Sequence, residues 1–257
     1  MTKKIKISVV SYVNSLPFVH GLEHSEFADE YELQKDIPSE CARKLVENEV
    51  DIGLIPVAVI PLLREAYILT SYCIGAVGEV SSVLLLSEVP LEKIETILLD
   101  FHSRSSVQLT KILAEKYWKI SPQWKNADDN FLHEISGTTA AVVIGDRTFN
   151  LKKKFAFAYD LSLEWQKMCG LPFVFACWVA NKKLPEIFLQ HFSQAIEWGV
   201  KNKSAVIDEL KSKHIPDFDA EKYLNHFISF DFDDAKKKGM NLFLKYLKEA
   251  EKSTISE

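Results

Sequence analysis

Two short runs of small polar residues carry the groups best suited to hold an anion that also has hydroxyls. Ser11-Tyr-Val-Asn-Ser-Leu-Pro17 directly follows the apolar run Ile5 to Val10, and His102-Ser-Arg-Ser-Ser106 follows Asp100 at the head of a helical pattern. The Asn14 amide offers both a donor and an acceptor, and the hydroxyls of Ser11, Tyr12 and Ser15 add neutral partners. At the second run, backbone N–H groups of a starting helix, with Ser103, Ser105, Ser106 and the Arg104 guanidinium around them, form a site for a carboxylate or phosphate. Each run also has a plain structural use, the first as a polar turn and the second as a helix cap through Ser103 or Ser105. Capping and ligand binding are compatible, so one use does not exclude the other.

Three further groups belong beside these. Gly78-Glu-Val-Ser-Ser82 enters an apolar segment and brings Ser81 and Ser82 to the hinge side of a possible cleft. Asp51-Ile-Gly-Leu-Ile-Pro56 and Ala140-Ala-Val-Val-Ile-Gly-Asp146 each run a buried strand into a Pro or Gly loop. In parallel sheets such loops, at the carboxyl ends of strands, are the usual place of ligand contact, which puts Pro56, Gly145 and Asp146 among the candidates. Asp146 with Arg147 reads equally as a surface ion pair, and Tyr159-Asp-Leu-Ser-Leu-Glu-Trp165 reads as a helix opened by Asp160 or Ser162.

The elements that must carry these loops alternate between strand and helix. Ile5 to Val10, Asp51 to Ile55, Thr96 to Leu99 and Ala140 to Ile144 read as strands. Ser39 to Asn48 and Arg104 to Trp118 read as helices with one apolar face. That alternation implies βαβ units and a largely parallel sheet. The apolar runs Ser82 to Leu86 and Phe173 to Ala180 fall where a chain would leave one lobe and later return to it. From Pro185 onward the pattern is helical, and Phe188, Phe192, Ile196 and Val200, then Tyr223 with Phe227 and Phe243 with Leu247, read as core rather than as a cofactor box. Lys252 to Glu257 read as a tail.

Composition narrows the function classes. With 257 residues and 47% apolar content a packed core is assured. A net charge of −5, with both signs interspersed, leaves no basic face for a nucleic-acid backbone. The basic start lacks the uninterrupted apolar core of an export signal, and no segment reaches the roughly 20 apolar residues of a membrane span. A cytoplasmic protein without a membrane partner is expected. Cys41, Cys73, Cys169 and Cys177 form no CxxC pair and read as buried free thiols. No Walker A, GxGxxG, HExxH or GxSxG sequence occurs, and Asp100 with His102 supplies too few ligands for a metal, so neither cofactor nor metal is expected.

Taken in order, these segments resemble the chorismate dehydratases of futalosine-type menaquinone biosynthesis. The resemblance rests on Ser11 to Pro17 leading to Gly21-Leu22, on Pro38-Ser39 with Ala42-Arg43, on Asp51 to Val57 and on Val80 to Ser87. It continues through Asp100 with Ser103 to Val107, Ile144-Gly-Asp146, Tyr159-Asp-Leu161, Glu164-Trp165 and Gly170 to Ala176. It ends near Trp178, and the C-terminal helices carry no motif of it. It implies an α/β fold of the two-lobed type II periplasmic-binding-protein kind, with chorismate in a cleft between lobes. One lobe would comprise residues 1–86 and 177–257, with the C-terminal helices, and the other residues 87–176. The implied reaction is a hydro-lyase step that removes water from chorismate and gives 3-[(1-carboxyvinyl)oxy]benzoate without a cofactor.

Carried over by motif, Asn14 and Ser82 become the catalytic residues. Ser11, Tyr12, Pro56, Ser81, Ser103, Arg104, Ser105, Ser106, Gly145 and Asp146 become substrate contacts. Where the family often has Pro and Arg ahead of the hinge serine, this chain has Glu79 and Ser81, and Leu16 replaces a common basic residue. That shifts the binding of charge to Arg104 and to backbone donors. Two other readings share the fold: a cytoplasmic solute-binding or sensory module for a small anion, and the naphthoate synthase of the same pathway. The Asp/Thr-rich signature and histidine motif expected of the synthase are missing. Oligomeric state is not written in the sequence.

Overall fold

The computed structural model describes residues 4–100, 102–128 and 130–255, the last three of these by backbone only. Strand β1 (Ile5–Val10) is followed by helix α1 (Leu16–Glu23), β2 (Tyr31–Asp36), α2 (Pro38–Val46) and β3 (Ile52–Pro56). Pro38 sits at the first helical position of α2, where no N–H is needed, and holds Ile37 extended ahead of it. All five residues of β3 are buried, as a strand covered on both faces requires. A 3-10 stretch (Val57–Leu62) leads to the long strand β4 (Tyr67–Ala76).

The chain then crosses to a second sheet through β5 (Val83–Ser87), β6 (Thr96–Leu99), α3 (Ser105–Leu113), β7 (Gln123–Asn126), β8 (Thr139–Ile144) and β9 (Phe157–Asp160). Helix α4 (Leu161–Cys169) is closed by Gly170 at φ +74°, and β10 (Phe173–Ala180) re-enters the first sheet. The remainder is α5 (Glu186–Lys201), α6 (Lys203–Ser212), α7 (Ala220–Lys222), β11 (Ser229–Asp231) and α8 (Asp234–Ile255). A single wide helical turn, Tyr223–Phe227, joins α7 to β11. The expected tail from Lys252 is helical as far as Ile255, and Ser256 and Glu257 lie outside the described residues.

The first sheet has the order β11-β4-β10-β3-β1-β2 and the second β7-β6-β8-β5-β9. Both are mixed. β1 runs parallel to β2 and β3, whereas β10 is antiparallel to β3 and β4, and β5 is antiparallel to β8 and β9. Parallel pairing, expected from the alternation to dominate, accounts for two of the five neighbouring pairs in the first sheet and two of the four in the second. The antiparallel pairs of β10 and β5 arise where the chain changes sheets, because a strand arriving from the other layer enters without a crossover helix. The ladders also move the expected lobe boundaries: Val83–Leu86 pair within the second sheet and Phe173–Ala176 within the first. The crossings are the loops before β5 and before β10.

The C-terminal helices close the core as the aromatic spacing predicts. Trp178 of β10 meets Phe18 and Phe192 edge-on at 5.7 and 5.1 Å, and Phe173 meets Phe243 at 5.1 Å. Cys73 and Cys177 face each other across β4 and β10 as free thiols, and burial pushes the Cys73 thiol up to about 12.

Candidate functional site

A narrow cleft lies between the carboxyl ends of β1 and β3 on one side and those of β6 and β8 on the other. Its cavity volume is about 50 Å³, well below the roughly 300–1,000 Å³ of small-molecule sites, so the cleft as it stands is tight. Tyr12, Asn14, Pro56, Ser82, Ser103, Ser105, Ser106 and Gly145, all named from sequence, line it. Ser15, named beside Asn14 from sequence, lines it too, and Pro38, Ile74 and Phe175 line it without having been foreseen. Among the described residues no Asp, Glu, His, Lys or Arg lines it.

The remaining sequence candidates lie elsewhere. Ser11 is exposed, and its N–H donates to Asp36 O at 2.9 Å, which closes the β1–β2 ladder. Ser81 opens onto a different surface groove, beside Glu79 and Lys152. Arg104 is exposed and faces a groove against α8 with Val59, Leu62 and Leu247. The helical turn explains this: Ser105 and Ser106 point inward and are buried, which turns the preceding side chain outward. The carboxylate contact expected of Arg104 is not one that this geometry makes.

The first turn of α3 instead presents neutral donors. Ser103 Oγ accepts from Ser106 N at 3.0 Å, so Ser103 caps the helix while it lines the cleft. Ser105 Oγ accepts from Ala58 N at 3.2 Å and donates to Phe175 O at 3.1 Å, tying α3 to the loop after β3 and to β10. Of the three serines, Ser105 is thus chiefly a tie between elements.

Asn14 and Ser82 come from opposite sheets and line the cleft together. The hydroxyl of Tyr223, a residue that sequence reasoning assigned to the core, donates to Ser82 Oγ at 2.7 Å, and the Asn14 side chain lies beside it. Ser15 Oγ donates to Asn14 Oδ1 at 3.0 Å. Tyr223 is buried, and its ring packs against Phe149 and Phe218, at 5.1 and 5.5 Å. Burial raises its phenol well above the ordinary value, so it stays protonated.

Ser82 is fixed from two more directions. Its carbonyl accepts from Gly145 N at 2.9 Å. The loop ahead of it is stapled by buried Asp160, which accepts from Val80 N and Ser81 N at 3.0 and 2.7 Å while it caps α4 through Ser162 N and Leu163 N. This staple holds Ser81 at φ +64°, a conformation costly for a non-glycine residue. Burial pushes the Asp160 carboxyl up, and its backbone donors oppose that.

Asp146 joins the two sides of the cleft. Its carboxylate accepts from Val13 N, at 3.1 and 3.3 Å for the two oxygens, and so holds the turn that carries Asn14. Burial raises its carboxyl to about 6, and the Val13 bond counteracts part of the rise. Next to it, Gly145 has φ +69°, and a Cβ there would lie 2.7 Å from the Tyr12 ring. Tyr12 Oη meets His102 Nδ1 at 2.9 Å, and Arg147, beside Tyr12, pairs with buried Asp100. Asp100 also accepts from His102 N at 3.0 Å and Ile144 N at 3.3 Å, so its oxygens are committed to structure. Among the described residues no group of three or more His, Cys, Asp or Glu is placed to hold a metal, and no helix is long and apolar enough to cross a membrane.

Comparison with known proteins agrees with this architecture. A family described as menaquinone biosynthesis matches residues 5–249. A chorismate dehydratase of Thermus thermophilus is 25% identical over 192 residues, which cover 68% of this chain and 69% of that protein. A structural-genomics protein of Archaeoglobus fulgidus superposes with a TM-score of 0.77 at 13% identity, covering 96% of this chain and 97% of its own. The aliphatic sulphonate binding protein SsuA of Escherichia coli gives 0.61 at 13% identity, covering 99% of this chain and 94% of its own. A Candida albicans protein described as having the generic periplasmic binding protein fold gives 0.63 at 13% identity, covering 95% and 90%. The fold is therefore periplasmic-binding-protein-like.

Proposed function

Because the chain belongs to the menaquinone-biosynthesis family, we propose that it is a chorismate dehydratase of the futalosine-type route, a cytoplasmic hydro-lyase that forms 3-[(1-carboxyvinyl)oxy]benzoate. The observation that carries this reading is the meeting of Asn14 and Ser82 in one cleft, from opposite sheets, with Ser82 held by the buried Tyr223 hydroxyl. The two sheets act as lobes that part to admit substrate, since the cleft as described is too tight for a ring with two carboxylates.

The substrate supplies the driving force. The ring carbon that bears the enolpyruvyl ether carries a proton vinylogous to the ring carboxylate. Its removal sends the C–H electron pair into a new ring double bond, and the neighbouring hydroxyl leaves with its C–O pair, giving an aromatic ring and water. Positioning and electrostatics suffice for such a step. Backbone donors at the start of α3, with Ser103 and Ser106, hold a carboxylate. Asn14 orients the reacting groups and Ser82 assists the departing hydroxyl. Among the described lining residues the only ionisable side chain is the Tyr12 phenol, which burial keeps protonated, and this supports a carboxylate of the substrate itself as the base, held by Asn14.

Purified protein mixed with chorismate tests the reading. New aromatic absorbance and a product lighter by one water support it. Binding without product would identify a solute-binding module with the same polar loops.

A further inference from the structure

Tyr223 lies far along the chain from every motif of the site, in the helical turn after α7, yet its hydroxyl reaches Ser82. The order of donors follows from counting protons. Tyr223 has a single hydroxyl proton, and it goes to Ser82 Oγ at 2.7 Å. Ser82 Oγ, already accepting, must direct its proton elsewhere, and the open direction is the cleft that it lines.

We propose that Tyr223 is a positioning residue of the site, turning the Ser82 hydroxyl into a donor aimed at the substrate. The inference rests on the dehydratase reading for the identity of that substrate but not for the hydrogen-bond chain itself. A donor at Ser82 fits an oxygen that gains negative charge, as the departing hydroxyl does. Without the Tyr223 hydroxyl, the Ser82 hydroxyl loses the partner that orients it and is free to turn away from the substrate, which removes it from the reaction while leaving the cleft walls in place.

A double-mutant cycle of Tyr223→Phe and Ser82→Ala tests this, because phenylalanine keeps the ring contacts with Phe149 and Phe218 and removes only the hydroxyl. In thermal unfolding each single variant should lose about 2–4 °C, the size expected for one buried hydrogen bond in a chain of this length, and the double variant no more than the larger single loss. In turnover of chorismate, Tyr223→Phe should lower kcat about tenfold with KM changed less than threefold, and should have no further effect once Ser82 is alanine. Additive thermal losses, or a Tyr223→Phe effect on kcat that persists in full without the Ser82 hydroxyl, would overturn the proposal. A parent protein that binds chorismate without turning it over would refute the dehydratase reading instead, and the thermal cycle would still decide whether the hydrogen-bond chain exists.

Discussion

Replacing Asp146 by asparagine isolates the cost of burying a carboxylate at the junction of the two sheets. The group ordinarily titrates near 3.8 and is raised to about 6, chiefly by burial, with the Val13 N–H acting in the opposite direction. The folded protein therefore binds a proton at Asp146 more tightly than the unfolded chain does. Its contribution to stability is fully present below about pH 3.8 and is lost as the pH rises through about 6. The whole difference corresponds to about 3 kcal/mol. Over an accessible window from about pH 4.5 to 7.5 the same relation gives about 2 kcal/mol, or a relative fall in Tm of about 4–8 °C in the parent. Other carboxyls titrate in the same range, Asp160 among them, so the informative quantity is the parent Tm minus the Asp146→Asn Tm at each pH. That difference should decrease by about 4–8 °C across the window. A difference that stays constant would refute the idea that a buried, hard-to-charge carboxylate ties the Asn14 turn to β8.

Four further outcomes follow from the same geometry. Arg104→Ala, outside the cleft, should leave KM for chorismate within about twofold of the parent in steady-state assays, whereas loss of a ground-state charge contact would raise it about tenfold or more. Gly145→Ala sets a Cβ against the Tyr12 ring at a positive φ, so it should weaken substrate binding measured by calorimetry and cost about 1–2 kcal/mol in chemical denaturation from the backbone alone. Asp160→Ala frees Val80 N, Ser81 N and the α4 cap together, and denaturation should show a loss of about 2–4 kcal/mol, accompanied by a lower kcat as Ser82 loses its support. Small-angle scattering should show a smaller radius of gyration when the cleft is saturated with a substrate analogue, and an unchanged value would argue against lobe closure.

The sequence was most legible where local pattern decides structure. β1 and β6 occupy the expected residues, and β8 begins one residue early, because a compact apolar run bounded by turn residues has few other uses. Ser103 caps α3 as its place ahead of the helix suggests, and Asp160 caps α4. What local pattern could not show is what a residue meets across the fold. Asp160 caps its own helix, but its bonds to Val80 and Ser81 span 79 to 80 residues. Tyr223 reaches Ser82 across 141 residues, and at helical spacing with Phe227 it looks like any core aromatic. Arg104 shows the converse: its charge marks it as an anion ligand, and the phase of one helical turn leaves it outside the cleft lining. The edge strands β2 and β7 were unread because they are short and polar, with every residue of β7 exposed. The antiparallel entries of β5 and β10 depend on the change of sheet, which no local window contains.

The most direct test of the central claim is the product formed from chorismate by the dialysed protein, compared with folded Asn14→Ala and Ser82→Ala variants. The cleft chemistry predicts 3-[(1-carboxyvinyl)oxy]benzoate from the parent, with the hydrogen of the ether-bearing ring carbon lost, and a fall in kcat of about a hundredfold or more in Asn14→Ala. Binding of chorismate without product, or an Asn14→Ala variant that turns over at the parent rate, would contradict it.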